Sequence, residues 1–303
     1  MSRQSRRSQG PSQAARRQDS RSQASRVPAA PGQDPWATGV LPVDSGTCEL
    51  VAEGEGGWVL YVNGAPSSFI SPGDPRRLGF GYMHWIAAAI ECQRPGDGAG
   101  LRVLHLGGGA CTLPRYVAEV LPGARQLVVE IDAELARLAR EWSDLPRAPR
   151  LRIRVGEARE VVEGLSPGTR DVIVRDVFAG DETPRALTTT GFLDGVRRVL
   201  PPGGTYAVNC GALRGLREAR EEVATLLARF GHVLIVGDQA TLKGRRPGNV
   251  VVVASDAPID AVALGARLRG GADAAVVLDG DAVVEFRKGA QPREDPAPGL
   301  LSE

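Results

Sequence analysis

The chain is poor in the residues that build disulfide scaffolds, metal centres and membrane spans. Its 303 residues include only four cysteines, Cys48, Cys92, Cys111 and Cys210. They form no Cys-x-x-Cys pair and have no histidine at ligand spacing, which excludes a disulfide framework and a structural zinc and points to a reducing, cytoplasmic compartment. No metal site is expected. No run of about 18 apolar residues occurs, so no transmembrane helix is expected. Net charge is +1, which gives no steer towards nucleic acid or a membrane surface. Lysine is nearly missing, with Lys243 and Lys288 against 35 arginines, a skew we read as coding bias. Of the three histidines, His105 falls inside an apolar run and His232 begins one, which suits structural roles.

What the chain does have is concentrated in residues 103–132. An apolar run ends in Gly107, Gly108 and Gly109; a helical pattern follows, then a second apolar run ending in Glu130 and Asp132. Glycines directly after a strand allow close backbone approach, and a carboxylate closing the next strand can accept from both hydroxyls of a ribose. Glu130 follows Gly107 by 23 positions, near the ~20 of such pairings. Thr112 stands where a dinucleotide fingerprint has its third glycine, and no lysine follows the glycines as in a P-loop. These residues point to a nucleoside with a non-phosphate tail, such as S-adenosylmethionine or a relative.

Four segments are expected. Residues 1–34, rich in Arg, Ser and Gln, cannot offset their ordering entropy by burial and read as a disordered tail. Residues 36–76 read as a small antiparallel β-domain, with Asn63-Gly64 as a tight turn. Residues 77–270 read as a Rossmann-like nucleoside-binding domain. It opens with a helix from Leu78 to Glu91, followed by strand-like runs at 101–106, 126–131, 151–155, 171–176, 204–210, 232–236 and 249–254. Helical patterns fill 111–121, 133–142, 157–164, 188–199, 214–229 and 259–269. Apolar strands between amphipathic helices predict a parallel sheet covered on both faces. The last two strands, joined by a Gly- and Arg-rich connection, are expected to pair antiparallel. That architecture is the α/β S-adenosylmethionine-dependent methyltransferase (Rossmann-like) fold. Residues 271–303 read as a peripheral segment with one β-like run at 282–286.

In an open parallel sheet, ligands bind beyond the carboxyl ends of the strands. Those ends deliver Gly107–Gly109, then Glu130 and Asp132, then Glu157 and Ala158, then Asp176, then Asn209 and Cys210. Asp132 and Glu157 also suit helix capping, and Asp176 suits a turn. Their recurrence at successive strand ends favours one shared pocket.

The motifs Leu106-Gly-Gly-Gly-Ala110-Cys, Val129-Glu-Ile-Asp132, Gly156-Glu-Ala158, Asp176-Val-Phe-Ala179-Gly and Pro202-Gly-Gly-Thr-Tyr206 stand in an order that resembles the spermidine synthase family, the polyamine aminopropyltransferases. The likeness covers roughly residues 48–255 and is closest to the divergent bacterial branch. It implies that Glu130 binds the ribose of decarboxylated S-adenosylmethionine beside Gly107, Gly108, Gly109 and Asp132. It implies that Glu157 and Ala158 hold the adenine, that Asp176 helps deprotonate the acceptor amine, and that Tyr82 lines the substrate pocket; His84 suits a structural role like the other histidines, but it alone lies on the helix facing the presumed active-site side and is kept as a further substrate-binding candidate. The implied partners are a small amine acceptor and a co-substrate, decarboxylated S-adenosylmethionine or S-adenosylmethionine, with no tightly bound cofactor; a homodimer is a further option.

Three positions depart from the family pattern. Ala110 replaces an Asp that faces the aminopropyl amine, Ala179 replaces the second Asp of the catalytic loop, and Tyr82-Met83-His84 replaces Tyr-His-Glu. Asp181 and Glu182 are candidates to compensate. Aminopropyl transfer is the leading expectation. A methyltransferase using S-adenosylmethionine and a non-catalytic nucleoside-binding protein are the alternatives.

Overall fold

Four strands come first among the described residues: β1 (Val40–Val43), β2 (Gly46–Glu53), β3 (Gly57–Val62) and β4 (Ala65–Ile70). They form an antiparallel meander in chain order. Asn63 and Gly64 join β3 to β4 with φ of 51° and 78°, the two left-handed residues that a tight hairpin requires. In this computed structural model the described residues are 36, 39–54, 56–93, 96–180, 182–212, 215–269 and 275–296. The tail expected over 1–34 lies outside them.

The helix α1 (Gly81–Gln93) leads into a second sheet. Its elements run β5 (Arg102–Leu106), α2 (Thr112–Val120), β6 (Arg125–Glu130), α3 (Ala133–Trp142), β7 (Leu151–Val155), α4 (Ala158–Gly164), β8 (Val172–Arg175), α5 (Thr190–Val199), β9 (Thr205–Gly211), α6 (Arg217–Leu227), β10 (His232–Gly237), α7 (Gln239–Leu242), β11 (Asn249–Ser255), α8 (Ala261–Arg269), β12 (Val276–Leu278) and α9 (Asp281–Phe286). The spatial order is β12-β10-β11-β9-β8-β5-β6-β7. Strands β5 to β9 pair in parallel; β11 returns antiparallel between β9 and β10. The α/β fold expected from the sequence is therefore present, including the reversed strand.

Continuous apolar strands such as Asn249–Ser255 are buried on both faces, which is why helices cover both sides. One layer packs Val162 of α4, Phe192 of α5, Val223 of α6 and Phe286 of α9 on the sheet. The other packs Ile86 and Ile90 of α1, Val117 of α2 and Leu264 of α8. The small sheet seats Leu50, Trp58, Leu60 and Ile70 on Leu138 and Trp142 of α3. Among the described residues, no helix is long and apolar enough to cross a membrane.

Two local expectations change. The β-like run at 282–286 is the helix α9, because Val283 and Phe286, three apart, share one helical face and are both buried. The connection before β11 holds one helical turn, capped by the Asp238 carboxylate on the Ala240 and Thr241 amides. Beyond α9 the chain is tied down. Asp295 accepts from Arg159, the Thr189 hydroxyl and the Gly191 amide at the start of α5.

Candidate active site

The strand order reverses at β5, with β6 on one side and β8 on the other. A crevice opens at such a switch point, beyond the carboxyl ends of the strands. The glycine loop after β5 and the loop after β8 meet there. Gly107 has φ of 89°, and a Cβ on it would stand 2.1 Å from the Asp176 carbonyl oxygen. Gly109 has φ of 49°, and its Cβ would stand 2.4 Å from the Ser68 hydroxyl at the end of β4. Close packing within the protein therefore demands these glycines before any ligand arrives. Cys111 also sits in the left-handed region, at φ 59°; burial pushes its thiol up to about 12, with the Glu130 charge adding to the shift.

Glu130 braces this loop. Its Oε2 accepts from the amides of Gly108 at 2.9 Å and Gly109 at 3.0 Å, and its Oε1 accepts from the Asp132 amide at 3.1 Å. The amides that would cradle a phosphate elsewhere are turned onto a carboxylate, which fits a ligand without phosphates. Beside it Ile131 is 65 % exposed, an apolar side chain at the same strand end that the sequence reading passed over. Its neighbours in sequence are both charged, and it lies past the last residue of β6, so no periodicity marked it.

Asp132 is placed otherwise than expected. Its Oδ1 caps α3 through the Leu135 amide at 2.8 Å, and its Oδ2 accepts from the Ser45 amide and hydroxyl, both at 2.7 Å. It is 2 % exposed. Burial alone would raise its pKa, but these hydrogen bonds hold it below the usual carboxylate range. The side chain joins the small sheet to the start of α3. Glu157 caps α4 through the Glu160 amide at 2.8 Å and stays part-exposed at the end of β7; Ala158 is buried in the first turn.

Asp176 follows the last residue of β8 and gathers donors from two other elements. The Tyr82 hydroxyl of α1 donates to Oδ2 at 2.9 Å, and the Asn209 amide of β9 donates to Oδ1 at 2.9 Å. Burial pushes the Asp176 carboxyl up; the bonds from Asn209 and Tyr82 and the Arg175 charge act against that. Tyr82 is pushed well above its ordinary value by burial, then by the Asp176 charge and hydrogen bond, so it stays a donor. His84 is half-buried and lies two positions along the helix, so it leaves on a different side from Tyr82. It is not brought to Asp176 with Tyr82 and Asn209.

Beneath Asp176 lies a feature that sequence reasoning missed. Arg175, with its side chain fully buried, pairs with Glu222 of α6 at 2.6 Å and donates to the Asn209 carbonyl at 3.1 Å. An arginine ending an apolar strand reads as surface; only the packing of α6 reveals its partner. Ala110 is also buried, inside the apolar cluster of Leu50, Leu60 and Leu138, and does not reach the crevice. Ala179 does line a cleft, one of about 260 Å³ formed with Glu182, Thr183, Pro184, Arg185, Glu218 and Arg293.

No family model matches the chain. The crystal structure of a probable spermidine synthase from Corynebacterium glutamicum is 44% identical, with a TM-score of 0.80 over 88% of this chain and 99% of that one. The spermidine synthase structure from Thermotoga maritima superposes with a TM-score of 0.58 at 18% identity, over 82% and 83% of the two chains, a likeness of fold alone. Among curated proteins, a polyamine aminopropyltransferase of Vibrio vulnificus is 29% identical over 158 residues, 52% of this chain and 51% of that protein. The match thus spans about half the length of that curated relative. Identity of 44% across nearly all of the Corynebacterium protein signifies common descent, and the chain belongs to the spermidine synthase family.

Proposed function

We propose that this chain transfers the aminopropyl group of decarboxylated S-adenosylmethionine to a small amine. The observation that carries the reading is the half-buried Asp176 carboxylate, held by Tyr82 and Asn209 at the switch point of the sheet. An amine attacks only when neutral, and a half-buried carboxylate with a raised pKa is suited to hold an ammonium and take its proton. In the reaction the amine lone pair forms a bond to the aminopropyl carbon next to sulfur. The C–S bond breaks, its electron pair returns to sulfur as the thioether methylthioadenosine, and the proton lost by nitrogen passes to Asp176 and then to solvent. The sulfonium is a good leaving group, so orientation supplies much of the remaining rate. Gly107–Gly109, Glu130, Ile131, Glu157 and Ala158 would hold the nucleoside, with Glu130 giving a ribose hydroxyl its remaining acceptor capacity and Ile131 giving the adenine an apolar face.

Incubation with decarboxylated S-adenosylmethionine and a panel of amines should release methylthioadenosine. A second reading, methyl transfer from S-adenosylmethionine, is favoured by one observation: Ala110 is enclosed in apolar packing, so the glycine loop brings no carboxylate to an aminopropyl ammonium. Release of S-adenosylhomocysteine, and none of methylthioadenosine, would replace the first reading with this one.

A further inference from the structure

Resting on the aminopropyl-transfer reading, we propose that Arg175 and Glu222 are positioning residues for Asp176, holding Asn209 against it from the far face of the sheet. Arg175 and Asp176 are consecutive, so their side chains leave on opposite faces. Asp176 meets Tyr82 of α1 on one face, and Arg175 meets Glu222 of α6 on the other. The parallel ladder between β8 and β9 ends at the pair Arg175 and Val208, and Asn209 lies one residue past it. The Arg175 guanidinium adds a side-chain tie there: its Nη2 donates to the Asn209 carbonyl at 3.1 Å and to Glu222 Oε2 at 2.6 Å. The Asn209 side chain, itself buried, donates to Asp176 at 2.9 Å.

Stability alone does not call for this pair. Both side chains are buried, and apolar residues of like volume often serve as well as a buried ion pair. An apolar pair could neither hold the Asn209 carbonyl nor set a positive charge beside Asp176. Around that carboxylate, Tyr82 from α1 stays a neutral donor, Asn209 from β9 carries no charge, and the loop after β5 brings Gly107. Arg175 brings the charge, which opposes the upward push of burial on Asp176. Glu222 of α6 fixes that guanidinium with both of its oxygens and tempers its charge. Tyr206 and Cys210, the titratable neighbours of the pair on β9, are kept neutral by burial; the Cys210 thiol donates to Glu222 at 3.4 Å.

An infrared titration of the full chain reads Asp176 directly, its carboxyl band being identified by its loss in Asp176→Asn. Arg175→Met with Glu222→Leu keeps similar volumes and should raise the Asp176 midpoint by about one pH unit, the low end for losing a nearby opposite charge. Glu222→Gln leaves Arg175 charged and unbalanced, so the midpoint should fall. With decarboxylated S-adenosylmethionine and an amine, the double variant should lower kcat about tenfold and move its acid limb to higher pH, with the KM for the nucleoside unchanged. A pair that only stabilised the fold would move neither midpoint. An unmoved midpoint in either variant, shifts of the same sign, or an unchanged kcat in the double variant overturns the inference. Should the double variant not fold, the shift in Glu222→Gln decides alone. Wild type that releases no methylthioadenosine fails the parent reading only, and the two midpoints still decide whether the pair sets Asp176.

Discussion

Replacing Glu130 separates two roles that the structure superimposes on one carboxylate. A carboxylate has about four acceptor positions, and three are filled here by the amides of Gly108, Gly109 and Asp132. About one position, on Oε1, is left for a ribose hydroxyl. Glu130→Ala removes that bond, and a hydrogen bond to a charged group contributes about 1.5–3 kcal/mol, so methylthioadenosine affinity should fall roughly ten- to hundred-fold. It also leaves three backbone amides without their acceptor. The site is half-buried, so water replaces part of the loss, and a cost of about 1–3 kcal/mol in stability is expected. For a chain of this size each kcal/mol lowers Tm by about 2–4 °C. Glutamine would be the mild change for a carboxylate facing only ribose. Here its NH₂ must face either the two loop amides or the Asp132 amide, donor against donor, so Glu130→Gln should lose nearly as much as Ala. Calorimetry with methylthioadenosine and ligand-free melting curves read the two roles independently. Unchanged affinity in the Ala variant would refute the nucleoside assignment; reduced affinity with an unchanged Tm would refute the bracing of the loop.

Other perturbations test the surroundings. Asp176→Asn should lower turnover by roughly 10²–10⁴ and leave nucleoside affinity nearly unchanged, as expected for a base acting on the acceptor. Tyr82→Phe removes a bond to the ionised carboxylate; the Asp176 pKa should rise further, and the acid limb of the kcat profile should move to higher pH. Arg175→Met strands Glu222 in the interior and should cost about 3–5 kcal/mol in denaturant melts, whereas Arg175→Met with Glu222→Leu should be nearly neutral. His105 is buried, and that burial, partly offset by its bond to Gln126, lowers its pKa to about 4. The folded protein keeps His105 neutral while the unfolded chain takes up a proton below about pH 6.5. This contribution is complete above pH 6.5 and is lost as pH falls towards 4, on the order of 3 kcal/mol; His105→Leu should flatten that slope in melts recorded across the range.

The fold class was legible in the sequence because its signals are local and repeated. Apolar strands alternate with amphipathic helices, Asn63-Gly64 supports only a tight turn, and the glycine loop and Glu130 keep a spacing that the sheet converts into adjacency. The resemblance to the spermidine synthases rested on the same local motifs. The assignment of acceptor groups to ligands was not legible, because it depends on which donors reach each carboxylate from distant parts of the chain. Asp132 is a cap and a tie to Ser45, 87 residues away. Arg175 finds its partner 47 residues on, in α6. Arg293 reaches the cleft beside Ala179 only because residues 293–295 fold back over α5 and α6. Periodicity and motif spacing report what each residue's neighbours in sequence allow; hydrogen-bond capacity is allotted in space, and only the tertiary structure decides which groups are left to meet a substrate.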